Sequence, residues 1–174
     1  AGAKVFIDAV TGKTGQEVAS AVRHRVGHLV IDSAEEVGHA VAAVRRLRSS
    51  GDLGPDERAG VMVRLTTGIH AGGHEYVATA HEDQKFGLSI LGGQALMALV
   101  RCLQSPRLEL VGIHSHIGSQ IFDTSAFEVA ARRTMRLMNQ FRQATGTDLP
   151  ELDLGGGFGI AYTSGDSPAT AERL

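Results

Sequence analysis

Short runs of apolar residues alternate along this chain with longer segments in which apolar residues recur every three or four positions. The short runs, at 28–32, 61–65, 108–116 and 149–154, predict β-strands. The longer segments are typical of amphipathic helices and predict them after Thr14, after Ser33, at 94–103 and at 125–144. Strands and helices in regular alternation predict an α/β protein whose parallel strands are joined by helical crossovers.

Two of the predicted helices begin with the spacing of a capping box, Thr-Gly-Gln-Glu at 14–17 and Ser-Ala-Glu-Glu at 33–36. In this motif the first side chain accepts from the backbone N–H three residues on, and the acidic side chain returns a bond to the first backbone N–H. We therefore predict both boxes. For the helix at 125–144 we expect an inward face made of Phe127, Ala130, Ala131, Met135, Met138 and Phe141.

The predicted topology leaves two arrangements open, an open doubly wound sheet and part of a (β/α)8 barrel. With 174 residues and 43% apolar content, residues 1–174 are treated as a single domain. In either arrangement ligands bind at the carboxyl ends of the strands, where Asp32 and the loops after Gly118 and Leu154 fall. About twenty irregular residues follow the strand at 61–65, and a loop of that length is usually functional or disordered.

Charge and composition restrict the partners. The net charge is −2 and the arginines are scattered, so nothing favours a nucleic acid or an anionic membrane as partner, and a small molecule is expected. No segment reaches the roughly 18 apolar residues of a membrane span. The single cysteine, Cys102, excludes an internal disulfide and a cysteine-based metal cluster, and its helical setting favours a buried thiol. We expect a cytoplasmic protein.

The most informative segment is Leu-Asp-Leu-Gly-Gly-Gly-Phe-Gly at 152–159. An apolar run that leads into three glycines leaves backbone N–H groups uncovered, so that an anion can approach them. The spacing matches neither the dinucleotide fingerprint nor a P-loop. A phosphate-binding loop and a tight turn that needs positive φ both remain open.

The second informative segment is His-Ser-His-Ile-Gly-Ser-Gln at 114–120. His114 and His116 fall on one face of a predicted strand because side chains alternate with period two. Three interpretations compete. The histidines could form an interior layer of a barrel, or a metal pair with His70, His74 and His81 from the long loop, or a face that packs on a flat cofactor. The nearby glycine loop favours the third.

Together, the motifs at 81–87 (His-Glu-Asp-Gln-Lys-Phe-Gly), 111–120 and 152–160 resemble those of the diaminopimelate decarboxylase family. This family belongs to the alanine-racemase-like barrel group of pyridoxal-phosphate enzymes, which also holds ornithine and biosynthetic arginine decarboxylases. The motifs occur in the family's order, and the resemblance extends from about Val26 to Pro168. The segment at 74–80 and Gln120 look closer to diaminopimelate than to ornithine decarboxylases, although biosynthetic arginine decarboxylases share part of this signature.

The resemblance implies a barrel fold, pyridoxal 5'-phosphate as cofactor, and decarboxylation of meso-diaminopimelate to L-lysine. His116 would stack on the pyridoxal ring as the catalytic residue, Ser119 and the glycine amides would bind the phosphate, and Arg64 would lie buried near the cofactor. The implied cofactor-binding residues are His116, Ser119, Gly155, Gly156, Gly157 and Arg64. No metal is implied.

The chain also departs from the family pattern. The cofactor-anchoring Tyr-Ala-x-Lys-Ala-Asn motif, the Glu-Pro-Gly-Arg strand and the cysteine segment of a C-terminal β-domain do not occur in these residues. Where the family shows His-Gly-Asn-x-Lys, this chain has Ala-Val-Thr-Gly-Lys at 9–13, so that only Lys13 aligns. We therefore expect about strands three to seven of the eight-stranded barrel.

Such a segment is expected to be catalytically incomplete by itself. Its open strand edges and interior face predict self-association, while the complete enzyme is expected to be a homodimer. Two alternatives stay open: a decarboxylase of the arginine or ornithine type, and a non-catalytic remnant that binds a phosphate-bearing ligand.

Overall fold

The computed structural model describes residues 12–69 and 86–170 and the backbone of residues 6–7. In chain order the elements are β1 (Phe6–Ile7), α1 (Gly15–Arg23), β2 (His28–Ile31), α2 (Ala34–Ser50), β3 (Ala59–Thr66), β4 (Leu88–Ser89), α3 (Gln94–Gln104), β5 (Leu108–Ser115), α4 (Ser125–Thr145) and β6 (Glu151–Asp153). None of these four helices has the length and apolar content that a membrane crossing requires.

The strand order decides between the two predicted arrangements. β1, β2, β3, β5 and β6 lie side by side in this order, and every pair is parallel. A doubly wound sheet needs a point at which the order reverses, and these strands show no reversal. Buried residues of all four helices form a core with the sheet, and the first turns of α4 form a second, smaller cluster with Ile117 and Ile121 of the loop after β5. These five strands therefore form a segment of a (β/α) barrel, as the resemblance implied.

The two faces of the sheet have different contents. Leu29, Val61 and Ile113 belong to the core that packs against the helices. Side chains alternate across a strand, so the residues between them face the inside of the barrel. Arg64 of β3 and His114 of β5 are such residues, and they are register partners. The helix side is thus apolar, while the barrel side carries charged and polar groups.

One of the two capping boxes is complete. Thr14 accepts from the Glu17 N–H at 3.3 Å, and the Glu17 carboxylate accepts from the Thr14 N–H at 2.8 Å. Ser33 likewise accepts from the Glu36 N–H. The prediction of a returning bond from Glu36 is wrong, because its carboxylate instead accepts from the backbone of Asp32 and Lys13.

The inward face of α4 differs from the predicted one. Met135, expected inside, is 61% exposed, while Thr134 and Leu137 are buried. Thr134 tolerates burial because its hydroxyl donates to the Ala130 carbonyl at 2.8 Å. A hydrogen-bonded threonine therefore occupies a position on the packed face that an apolar pattern does not reveal.

β4 was not predicted. It has two residues, and it pairs with β3 at Leu65↔Leu88 and Thr66↔Ser89, beyond the register in which β2 pairs with β3. A strand of two residues produces no detectable alternation in the sequence. Its position brings the residues just before it, Phe86 and Gly87, to the carboxyl ends of β2 and β3.

The predicted burial of Cys102 is confirmed, and it leads to a test of reactivity. The thiol is free and buried in α3, and burial raises its pKa to about 12. Its thiolate is therefore scarce at pH 8 in the folded state. We expect iodoacetamide to leave the native protein unmodified at pH 8 and to alkylate Cys102 once guanidinium has unfolded it, as intact mass will show. Equal rates in the two states would contradict this.

Candidate functional site

The loops that follow β5 and β6 lie directly against each other. Ile121 and Phe158 form a parallel bridge, in which the Ile121 N–H donates to the Gly157 carbonyl at 2.9 Å and the Gly159 N–H donates to the Ile121 carbonyl at 2.8 Å. The Phe158 ring stacks on Phe127 of α4 with centroids 4.4 Å apart. The glycine loop is therefore held on one side by the β5 loop and on the other by a helix.

Two of the three glycines are required by the conformation of the turn. Gly155 and Gly157 have φ of 74° and 105°, a region that side chains disfavour. A Cβ on Gly157 would lie 1.9 Å from the Gly118 carbonyl oxygen, and one on Gly155 would lie 2.5 Å from that of Ser115. The tight-turn interpretation therefore accounts for these two positions.

Gly156 is different. A Cβ built on this residue has no heavy atom within 4 Å, so its backbone faces open space. A glycine that is required neither by φ nor by a protein neighbour leaves room for a ligand to approach the backbone. The anion-binding interpretation of the triplet therefore rests on Gly156.

The structure brings His116 and Ser119 to this loop. The Nδ1 atom of His116 lies 3.2 Å from the position of a Cβ on Gly155, and the Cα of Ser119 lies 3.4 Å from that of a Cβ on Gly157. Both side chains are exposed. An aromatic cation or base, a hydroxyl and a glycine loop are thus grouped at the carboxyl ends of two neighbouring strands.

His114 and His116 do not form one face of a strand as expected. β5 ends at Ser115, so that His114 is buried inside the barrel while His116 lies beyond the strand and is exposed. The register between β3 and β5 also shifts by one residue, because Val61 pairs with Leu110 and Met62 with Gly112. The alternation that grouped Leu110, Gly112, His114 and His116 is therefore interrupted.

Asp153, the last residue of β6, connects the barrel interior to the glycine loop. Its Oδ2 lies 3.0 Å from His114 Nδ1, and its Oδ1 accepts from the Gly155 N–H at 2.7 Å. The resemblance implied Gly155 as a phosphate-binding residue, and in this structure its amide donates to Asp153 instead. The sequence pattern alone did not indicate a role for Asp153. An aspartate just before a glycine turn is nevertheless a recognisable signal, because its carboxylate can accept from the backbone two residues on.

The metal interpretation of the histidines gains no support. Across residues 12–69 and 86–170 no three side chains of the metal-binding types come together. His70, His74 and His81 lie outside the described residues, as does Lys85. His114 instead has the role of the first interpretation, an interior histidine bonded to a neighbouring strand.

Arg64 is buried, as the resemblance implied, with 6% of its surface exposed. Its Nη1 lies 3.4 Å from Asp32 Oδ1, and its guanidinium carbon lies 5.4 Å from the centre of the Phe86 ring. Its register partner is His114, which contacts Asp153. Asp32, Arg64, His114 and Asp153 thus form a charged layer across four adjacent strands, directly below the loops.

A second buried charge cluster, formed by Lys13 and Glu36, lies next to this layer and contacts it at Asp32. Glu36 is 1% exposed and accepts from the backbone N–H of Lys13 at 2.6 Å and of Asp32 at 2.9 Å. The Lys13 ammonium lies 2.9 Å from the same carboxylate. Sequence reasoning missed this cluster because the capping spacing assigned Glu36 to a local bond.

Asp32 links the charged layer to the turn before β4. Its Oδ1 accepts from the Gly87 N–H at 3.0 Å, and Thr66 donates its hydroxyl hydrogen to the Phe86 carbonyl. Burial raises the pKa of Asp32 above its ordinary value of 3.8, against the opposing effect of Arg64. The position of residues 86–87 against the ends of β2 and β3 therefore depends on a carboxyl group whose pKa is raised.

The raised pKa of Asp32 predicts a pH dependence of stability. The folded state binds the proton of the Asp32 carboxyl group more tightly than the unfolded state does. Unfolding above about pH 4 therefore releases this proton, and the contribution of Asp32 to stability decreases as the pH rises. We expect the difference in unfolding free energy between wild type and Asp32→Asn to shift against wild type as the pH rises from about 4 towards neutrality. Urea titrations at several pH values will measure it, and a difference independent of pH would refute the assignment.

A separate cavity of about 510 Å³ lies at the opposite end of the strands. Its lining includes His28, Gly60, Glu109 and Glu151, all at the amino ends of their strands. His28 Nδ1 lies 3.5 Å from Glu151 Oε2. Chemistry in parallel barrels is located at the carboxyl ends, so this cavity is distinct from the candidate site.

Comparison with known proteins gives concordant matches. The family model described as "Pyridoxal-dependent decarboxylase, pyridoxal binding domain" matches residues 3–174. Diaminopimelate decarboxylase of Mycobacterium tuberculosis is 43% identical over 166 residues, which is 93% of this chain and 35% of the relative. That of Corynebacterium efficiens is 42% identical over 158 residues, 90% of this chain and 32% of the relative.

A solved structure agrees with these sequence matches. Diaminopimelate decarboxylase from M. jannaschii in complex with L-lysine superposes with a TM-score of 0.77 at 27% identity, covering 92% of this chain and 35% of the other. The chain thus spans about a third of the length of the relatives it matches.

Proposed function

Because the chain belongs to the pyridoxal-binding domain family of the pyridoxal-dependent decarboxylases, we propose that the protein decarboxylates meso-diaminopimelate to L-lysine. The substrate is proposed from the relatives, which are named diaminopimelate decarboxylases at 42–43% identity. The observation that carries the proposal is the grouping of His116, Ser119 and an open glycine backbone at one end of the barrel. The cofactor is pyridoxal phosphate.

The residues present fit this cofactor. The open space in front of Gly156 gives a phosphate access to the backbone between two glycines with positive φ. We assign the phosphate to Ser119 and to the amides of Gly156 and Gly157, because the Gly155 amide donates to Asp153. The imidazole of His116 is exposed and lies beside Gly155, and we assign it to one face of the pyridine ring.

The contribution of these residues is binding and orientation. When bound, pyridoxal phosphate supplies an electron sink for the carbon that loses carbon dioxide. Ser119 and the glycine loop fix the phosphate end, and His116 limits the tilt of the ring and excludes water from one face. Asp153 fixes both the turn that presents the loop and the ring of His114 beneath it.

We assign Arg64 a position near the cofactor, as the resemblance implies. Its charge is held in place by Asp32 and by the face of Phe86, and the layer it belongs to lies below the loops. We propose that the pairing of Arg64 with Asp32 keeps this buried layer in place below the loops.

Assembly and location complete the proposal. In the part of the chain that the structure describes, β1 and β6 are the ends of the strand order, each paired along one edge. Such edges favour association, and we propose a homodimer for the complete enzyme and self-association for residues 1–174 alone. Light scattering that shows a monomer at high concentration would contradict this. The buried free thiol of Cys102 supports a reducing, cytoplasmic location.

The test uses the protein expressed from its complete reading frame and reconstituted with pyridoxal phosphate. We expect the visible absorption of bound cofactor and the release of one carbon dioxide and one L-lysine per meso-diaminopimelate. L-Ornithine and L-arginine serve as competing substrates. His116→Ala should lower turnover by about 100-fold, since a misplacement of the reacting groups by about 1 Å can cost that much.

Each outcome has a distinct meaning. Preferred turnover of ornithine or arginine would replace the substrate but keep the cofactor site. Cofactor binding without turnover of any of these amino acids would support a phosphate-ligand-binding remnant. Failure to bind pyridoxal phosphate would refute the assignment of the site.

A further inference from the structure

Gln120 has an unusual backbone conformation and a reciprocal pair of side-chain bonds. Its φ is 56°, and Arg25 is the other non-glycine residue with positive φ among the described residues. Its amide Nε2 donates to the Ile160 carbonyl at 3.1 Å, and its Oε1 accepts from the Ile160 N–H at 3.0 Å. One side chain thus satisfies both backbone groups of a residue forty positions further along the chain.

These bonds continue the bridge between the two loops. Ile121 exchanges backbone bonds with Gly157 and Gly159 on either side of Phe158. Ile160 follows Gly159 in the glycine loop, and the side-chain amide of Gln120 bonds to both of its backbone groups as a peptide group would. In this parallel register the Gln120 backbone would lie opposite Gly157, so its side chain reaches further along the loop and adds a contact to Ile160 that its own backbone does not make.

We propose that Gln120 is a positioning residue for the phosphate site. It sits between Ser119, which is assigned to the phosphate, and Ile121, which pairs with the glycine loop. By holding Ile160 it fixes the spacing between the Ser119 hydroxyl and the backbone of Gly156 and Gly157. This inference rests on the proposed function, and it adds a determinant of phosphate affinity to it.

The proposal is specific to a primary amide of this length. Glutamate at the same position keeps an acceptor for the Ile160 N–H but places a second acceptor against the Ile160 carbonyl. Glycine removes the amide while it relieves the left-handed backbone, whereas alanine removes the amide and keeps the backbone cost. The three variants therefore separate the effect of the side-chain pair from that of backbone strain.

The test compares two ligands that differ only in the phosphate, pyridoxal phosphate and pyridoxal. In the protein expressed from its complete reading frame, we expect Gln120→Gly to weaken pyridoxal phosphate about 10-fold, as the loss of two hydrogen bonds predicts. Pyridoxal affinity should change less than about 2-fold, or about 0.4 kcal/mol, since pyridoxal has no phosphate for these loops to hold. Gln120→Ala and Gln120→Glu should match or exceed the loss in Gln120→Gly, since alanine keeps the backbone cost and glutamate sets an oxygen against the Ile160 carbonyl. The phosphorus NMR signal of the bound cofactor should broaden or shift in the same order.

Two results would overturn the proposal while leaving the function intact. Wild-type affinity for pyridoxal phosphate in all three variants would show that the pair does not matter. Equal losses for both ligands would show a general structural role rather than one at the phosphate. If the wild-type protein binds no pyridoxal phosphate, the proposed function fails and this inference fails with it. If Gln120→Gly does not fold, Gln120→Glu, which keeps one of the two bonds, is tested instead. The measurement is again the loss of pyridoxal phosphate affinity relative to the loss of pyridoxal affinity.

Discussion

Alanine in place of Gly156 should weaken pyridoxal phosphate binding by about 100-fold, as the loss of one or two charge-assisted hydrogen bonds predicts. The added methyl group meets no protein atom within 4 Å, so the stability of the fold should change little. It would instead occupy the space through which we expect the phosphate to approach the backbone. Cofactor titration followed by visible absorption measures the affinity, and urea unfolding measures the stability.

Gly157→Ala is the matched control, since it adds the same methyl group one position further. Its Cβ would lie 1.9 Å from the Gly118 carbonyl oxygen, and φ is 105°. We expect a loss of about 3 kcal/mol in unfolding free energy from overpacking and strain. Gly156→Ala should thus lose affinity without stability, whereas Gly157→Ala loses both. Wild-type affinity in Gly156→Ala would place the phosphate elsewhere.

Asp153→Ala should show the second large effect, because one carboxylate holds two parts of the site. The substitution removes the acceptor for the Gly155 N–H and the partner of His114, which is buried. We expect the unfolding free energy to fall by about 2 kcal/mol and pyridoxal phosphate affinity to fall about 30-fold, from the loss of two hydrogen bonds to a charged group. Urea unfolding and cofactor titration measure the two effects.

Asp153→Asn keeps the shape of the side chain and serves as its control. Its carbonyl oxygen can still accept from the Gly155 N–H, while its NH2 group requires His114 to present an unprotonated Nδ1. We expect roughly half of the free-energy loss of the alanine variant, because one of the two bonds survives. If Asp153→Ala binds the cofactor as tightly as wild type does, the bonds of Asp153 to Gly155 and His114 do not contribute to cofactor affinity.

The sequence predicted most of the elements because their patterns are local. The helices after Thr14 and Ser33 begin at capping residues, and α3 and α4 end within one residue of the predicted bounds. The family and the cofactor were predicted correctly from three motifs in order. The fold class needed the same motifs, because alternation alone fits both a barrel and a doubly wound sheet.

The failures share a physical cause, since each depends on a bonding partner that the apolar pattern of the sequence does not reveal. Glu36 turns from its capping bond to Lys13, 23 residues earlier, and Thr134 is buried because a carbonyl one turn before it accepts its hydrogen. β4 exists because β3 offers an unpaired edge beyond β2. Neither hydrophobic periodicity nor secondary-structure propensity reveals these partners.

The amino-acid order by itself determined which residues end the strands, and therefore which chemical groups gather at one end of the barrel. It placed His116, Ser119 and the glycine triplet there, because the carboxyl ends of parallel strands meet at one edge. Only the tertiary structure decided how the three glycines divide their roles, with Gly155 and Gly157 required by the turn and Gly156 open to a ligand. That division depends on the carbonyls of Ser115 and Gly118, which approach the loop only when β5 and β6 lie side by side.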